Sequence, residues 1–342
     1  MKNHLVMAPM TRSRAVDNVP NDLMATYYAQ RSGAGLIITE GTSPSPEGLG
    51  YPRIPGIFSE RQIRGWKKIT DAVHQHGSSI FLQLMHTGRI GHSANLPDGF
   101  QIVGASNIKA AGEIHTDALG KQAHSQPIAL SKEGIEGVIE SFATAAKNAV
   151  RAGFDGIELH AANGYLLEQF LNPNVNDRTD DYGGTIKNRS RLIIEIVTKT
   201  VDAIGKDKIG IRFSPFSTLG DLQPYDKAEV HRTYAYLSSE LNKLGIAYIH
   251  ISANPNIPEE THKAIRSAFS NTIIYCNGFT SETAEVMLQE GAADLVAFGR
   301  SFLANPDLEK RIETNAPLNI VNFNALYTPG AVGYTDYPVL VA

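Results

Sequence analysis

A rhythm constrains this chain more than any single motif: a short apolar run followed by an amphipathic segment, eight times over. The apolar runs are Leu5–Ala8, Leu36–Thr39, Ile80–Met85, Ile157–Ala161, Ile209–Phe213, Ile246–Ile251, Thr272–Cys276 and Leu295–Phe298. Their lengths of four to six residues suit buried strands. Helical patterns follow at 22–31, 59–76, 131–152, 185–204, 226–244, 259–269, 281–289 and 307–313. The second of these is typical of the local signals, with Ser59 as N-cap, Gln62 at the capping-box position and Gly77 as stop. Strands that alternate with helices in one register pair in parallel, and eight such units close on themselves. The expected fold is therefore α/β, a (β/α)8 TIM barrel spanning 1–342 as a single domain. One stretch breaks the rhythm. Residues 87–130, after the third strand, are rich in Gly, Pro, Ser, Asn and His, and so long a connection reads as an excursion or lid over a site.

Charge and cysteine content narrow the function. The net charge is −4 with no basic run, which argues against nucleic acid and anionic membrane as partners. No run approaches the ~18 apolar residues of a membrane span. Cys276 is the one cysteine, so neither an internal disulfide nor a multi-cysteine metal site is expected. The reading is a cytoplasmic enzyme without a metal.

In such barrels the C-terminal strand ends face the site. That rule selects Thr11, Gly41, Gln83, His160, Arg212, Gly278, Gly299 and Arg300. The richest stretch is 153–191, where a strand ends in His160, Asn163 and Tyr165 and a long polar loop runs on to a basic helix start at Lys187. The blander reading makes His160 a loop cap and Asn163-Gly164 an ordinary turn. Arg212 lies inside a strand and points into the barrel mouth, either paired with Glu158 on the adjacent strand or facing an anionic ligand. Gly278 and Gly299-Arg300 follow the last two strands, where barrels commonly bind phosphate on backbone N–H groups.

Specific motifs add a resemblance. MAPMTR (7–12), ITEG (38–41), HAANGYLLEQFL (160–171), NDRTDDYGG (176–184), AFGR (297–300), ANPDL (304–308) and GYTDYP (333–338) resemble the Old Yellow Enzyme family. These are FMN-dependent ene-reductases, and the chain looks nearest the pentaerythritol tetranitrate and N-ethylmaleimide reductase group. The resemblance implies FMN as cofactor and NADPH or NADH as reductant. It implies activated alkenes of α,β-unsaturated carbonyls as substrates, with nitro compounds, nitrate esters and quinones as further acceptors. A monomer or weak homo-oligomer is expected.

Residue by residue, it implies that Ala8, Pro9 and Gly41 pack main chain against the flavin, that Thr11 bonds its C4 carbonyl, and that Gln83 holds its pyrimidine edge. Arg212 would sit by N1 and O2, and Gly278, Gly299 and Arg300 would take the phosphate with Asn277 beside them. His160 and Asn163 would both donate to one substrate oxygen, Tyr165 would give the proton, and Tyr51, Tyr327 and Met85 would shape the pocket. Departures are read too. The family's N-terminal hairpin ahead of the first strand is not seen here, and the chain stops soon after TDYP. The rival expectation is thus a flavin-binding barrel with impaired turnover owing to shortened termini. Other FMN barrels, the dihydroorotate and hydroxy-acid oxidases, use a lysine or His-Arg site with no equivalent in this sequence.

Overall fold

A computed structural model describes residues 1–341. The first three strands are β1 (Leu5–Met7), β2 (Leu36–Ile38) and β3 (Ser79–Leu84). The excursion holds four short strands: β4 (Val103–Gly104), β5 (Glu113–Thr116), β6 (Gly120–Ala123) and β7 (Ile128–Ala129). The rest are β8 (Gly156–Ala161), β9 (Ile209–Phe213), β10 (Tyr248–Ser252), β11 (Thr272–Cys276) and β12 (Leu295–Phe298). Eight of them close into one parallel barrel in the order β1-β12-β11-β10-β9-β8-β3-β2. The expected (β/α)8 barrel is therefore the fold observed. In the excursion β4 pairs with β7, and β5 with β6 as a hairpin, so 87–130 is partly folded.

The helices are α1 (Asp22–Gln30), α2 (Glu60–His74), α3 (Lys132–Arg151), α4 (Leu166–Leu171), α5 (Ile186–Ile204), α6 (Lys227–Leu244), α7 (Glu259–Ala268), α8 (Ser281–Gln289), α9 (Arg300–Ala304) and α10 (Leu308–Thr314). Among the described residues no helix is long and apolar enough to cross a membrane. Capping explains most of the starts: Ser59 and Gln62 form the full capping box of α2, and Ser131, Thr185 and Asp226 each accept an N–H of their helix's first turn. The longer helices α2, α3, α5 and α6 each lay one apolar stripe on the barrel. Trp66 of α2, for instance, is fully buried and donates its Nε1–H to Gly56 O at 3.1 Å. Two helices differ from expectation. The region after Tyr165, expected as a polar loop, begins with α4, and α9 follows Gly299 directly.

The barrel interior is filled in layers. At its N-terminal end the rings of Phe81 and Tyr248 meet at 5.7 Å between centroids. Glycines on neighbouring strands make that possible: a Cβ at Gly210 would lie 2.1 Å from the Tyr248 ring, and one at Gly156 2.5 Å from Phe81. One level up, the same four strands turn polar.

Candidate active site

The polar level begins with register. His160 on β8 lies beside Arg212 on β9, which lies beside His250 on β10. Period-2 alternation then places Glu158 one level deeper than His160 on the same inward face. Glu158 is fully buried; its Oε1 accepts from Gln83 Nε2 at 2.8 Å and its Oε2 lies 2.8 Å from His250 Nδ1. Burial alone raises the Glu158 pKa, yet the His250 charge and hydrogen bond, Arg212 and Gln83 together hold it below the usual carboxylate value. Burial likewise lowers His250, but Glu158 outweighs it and the imidazole is held above its ordinary value. The pair is ionic.

The alternative in which Arg212 pairs with Glu158 is therefore corrected: Glu158 spends its hydrogen bonds on His250 and Gln83. Arg212 is 5 % exposed, its Nε has no partner among the described residues, and its Nη2 donates to Cys276 Sγ at 3.7 Å. A buried guanidinium with unspent donors at a cavity wall is the chemistry of an anion or carbonyl site.

His160, next to last in β8 and level with Arg212, is 4 % exposed, with Nδ1 lacking a partner among the described residues. Burial first, then the Arg212 charge, pushes its pKa down to about 3, so it is a neutral imidazole carrying one N–H. Asn163 follows at φ 58° and Gly164 at φ 81°, two consecutive left-handed residues that turn the chain back over the barrel. Tyr165 is the N-cap of α4, half-buried, its ring edge-on to His160 with centroids 5.0 Å apart. Its hydroxyl donates to Tyr51 OH at 3.2 Å, and burial followed by the Tyr51 neighbour raises its pKa well above 10, so the phenol keeps its proton.

These groups wall one cavity of about 820 Å³, lined also by Pro9, Thr11, Met85 and Tyr327. The remaining candidates stand apart from its walls. Ala8 is packed in the barrel interior, and Gly41 lies under Met85, where a Cβ would come 2.5 Å from Sδ. Gly278 (φ +79°) and Gly299 sit at the ends of β11 and β12. Asn277 spends its amide on Ser252 Oγ at 2.8 Å, and Arg300 is exposed with its guanidinium 5.8 Å from the Phe323 ring.

Other cavity-lining residues escaped the sequence. Ile90, His115 and His124 of the excursion reach the cavity, as does Asp221 after β9. Arg12 and Arg14, just past Thr11, tie down the far end of the chain. Arg12 donates to the carbonyls of Leu326 (3.1 Å) and Gly333 (2.7 Å), and Arg14 to those of Ala325 (2.8 Å) and Leu326 (2.6 Å). Tyr334 stacks on Tyr27 at 4.0 Å. That clamp carries Tyr327, 60 % exposed, to the cavity rim. The arginines of MTRSR were visible; their carbonyl partners three hundred residues away were not.

Known proteins resemble this chain in sequence and in fold. A sequence model of the NADH:flavin oxidoreductase / NADH oxidase family matches residues 1–319. 12-Oxophytodienoate reductase 1 of Oryza sativa subsp. japonica is 41% identical over 350 residues, covering 99% of this chain and 90% of the relative. Morphinone reductase in complex with tetrahydroNAD is 42% identical with a TM-score of 0.95, covering 99% of this chain and 94% of that one. The Old Yellow Enzyme homologue of Zymomonas mobilis is 39% identical with a TM-score of 0.94, covering 99% and 96%.

Proposed function

The chain belongs to the NADH:flavin oxidoreductase / NADH oxidase family, and on that premise we propose that it is an FMN-dependent ene-reductase of α,β-unsaturated carbonyls. One observation carries the reading of the site: neutral His160, Asn163 and protonated Tyr165 converge at one strand end, beside a buried Arg212 that no carboxylate neutralises by direct contact among the described residues. The unspent donors of Arg212 fit FMN: Arg212, Gln83 and Thr11 would hold its polar edge, and the main chain at Ala8, Pro9 and Gly41 would pack against its ring. Gly278, Gly299 and Arg300 are the proposed phosphate group, with Asn277 beside them. Bound FMN, once reduced by NADPH or NADH, would supply the hydride.

The protein's own residues do the rest. The His160 N–H and the Asn163 amide donate to the substrate carbonyl oxygen and stabilise negative charge as it develops there, which leaves the β-carbon electrophilic. Because His160 is neutral, it polarises without giving up its own proton. Tyr165, held in line by Tyr51, delivers a proton to the adjacent carbon; a phenol suits this because the carbon it serves is strongly basic. Tyr51, Met85 and Tyr327 shape the pocket, and the 87–130 excursion covers it within a single 1–342 unit. Nitro compounds, nitrate esters and quinones fit the same two donors.

Placement near the pentaerythritol tetranitrate and N-ethylmaleimide reductases rests on motifs alone. A cytoplasmic monomer or weak homo-oligomer is part of the same proposal, and the net charge of −4 argues against nucleic acid and anionic membrane as partners. The rival, a flavin barrel without efficient turnover, parts from this reading in one experiment. Purified protein should be yellow, bleach anaerobically with NADPH or NADH, and recover its colour on adding cyclohexenone. Bleached protein that stays colourless with cyclohexenone would favour the rival.

A further inference from the structure

Asn163 and Gly164 occupy left-handed backbone in succession, at φ 58° and 81°. For asparagine that conformation is sparsely populated and has to be held from outside. Gly164 cannot be replaced cheaply, since a Cβ there would fall 2.3 Å from Leu219 O. The holding groups come from the first turn of α4. Glu168 accepts the Gly164 N–H on Oε2 at 2.7 Å and the Ser214 hydroxyl on Oε1 at 2.8 Å. Ser214 Oγ in turn accepts the Asn163 N–H at 2.8 Å. On the other side Gln169 Nε2 donates to Gly164 O at 2.8 Å. Both peptide N–H groups of the turn therefore lead to one carboxylate, which is 3 % exposed and also accepts from Tyr234 OH at 2.9 Å.

Nothing in the chemistry of the reaction uses Glu168, and a buried carboxylate is costly to keep. We propose that Glu168 is a positioning residue: through the Gly164 N–H and the Ser214 hydroxyl it aims the Asn163 amide at the substrate oxygen. A carboxylate suits the task because it only accepts, and all three groups around it donate. Burial pushes its pKa up to about 7 against the pull of those donors, so its charge depends on that set staying complete. A glutamine would turn an NH2 toward one of them, and the turn would have to move.

This inference rests on Asn163 binding the substrate oxygen, and the test separates the two. The FMN holoenzyme is titrated with para-chlorophenol, read by its long-wavelength charge-transfer band, in the parent, Glu168→Gln, Asn163→Ala and the double variant. Glu168→Gln should weaken phenol binding about tenfold, part of the loss expected when a hydrogen bond to an anion is misaimed. In the Asn163→Ala background the same change should do nothing, because the group it aims is gone. A loss of equal size in both backgrounds, or none in the parent, overturns the positioning role. If Asn163→Ala alone binds phenol like the parent, the substrate-oxygen reading of Asn163 falls, and the inference with it. Should Glu168→Gln fail to fold, Tyr234→Phe removes one donor from the same carboxylate without a new polar group. It enters the same cycle with a smaller expected loss and the same overturning results.

Discussion

The barrel interior has two arcs built from the same backbone and filled by opposite chemistry. Along β3, β8, β9 and β10 the inward groups include Gln83, Glu158, His160, Arg212 and His250. Along β11, β12, β1 and β2 they include Ile274, Cys276, Leu295, Ala297, Val6, Ala8, Leu36 and Ile38. On the apolar arc each side chain contributes by filling space, and a loss is felt locally. On the polar arc every group depends on another. Glu158 keeps its charge through His250 and Gln83, and Arg212 is free for a ligand because Glu158 is already taken. Sorting polarity by arc keeps the reactive groups on one side of the barrel interior without altering the strands.

The sharpest way to break this contrast is Glu158→Ala. Removing one partner of a buried ion pair strands the other, at a cost of about 3–5 kcal/mol. Urea denaturation across pH would also show the pair's signature. His250 is held above its ordinary 6.5, so its contribution is present below that pH and is lost as pH rises through the raised value. Glu158 is held below 4.5, so its contribution is present above that pH and is lost as pH falls through the lowered value. In Glu158→Ala the alkaline-side loss should vanish, since a lone buried His250 stays neutral. An unchanged stability profile would mean that the two arcs do not differ in this way.

Tyr165→Phe sharpens the contrast at the cavity. Protonation at carbon should slow by at least ~10²-fold, the lower end for general acid catalysis. Quinone reduction, protonated on oxygen where water suffices, should continue at a near-parental rate. Anaerobic stopped-flow with cyclohexenone and a quinone decides it, and an unchanged enone step reduces Tyr165 to pocket lining. The smallest effect belongs to the apolar arc. Ile274→Val should cost about 0.5–1.5 kcal/mol by denaturation and leave phenol binding and the flavin spectrum as they were. A shift in either spectrum would show that the apolar arc also tunes the site.

How much of this was legible follows the same division. Strand and helix alternation is a local pattern, so the eight strands and the longer capped helices stand close to where periodicity puts them. α4 was not legible: all six of its residues are buried, so it has no amphipathic stripe, and its N-cap, Tyr165, offers no capping side chain. His160, Asn163, Tyr165 and Arg212 were legible because barrel topology places strand ends at the site. The Glu158–His250 pair was not, because these residues stand two strands and ninety-two positions apart, and only register brings them together. The same holds for Glu168, whose carboxylate reads in sequence as an ordinary helical acid.

The clamp formed by Arg12 and Arg14 has a consequence for how the molecule is assembled in time. Its bonds to Ala325, Leu326 and Gly333 span 311 to 321 positions of sequence, about the largest separation this chain allows. Such contacts form late, because the entropy of closing the intervening loop must be met before they yield anything. On a ribosome, which delivers the N-terminal part first, every barrel strand is synthesised before the carbonyls that Arg12 and Arg14 need exist. Until then two arginines wait without their final partners, and Tyr327 has no fixed place at the rim. Closing β1 on β12, which pairs Leu5 with Val296, carries nearly the same separation, so barrel closure and the clamp come late together and the binding rim is completed with them.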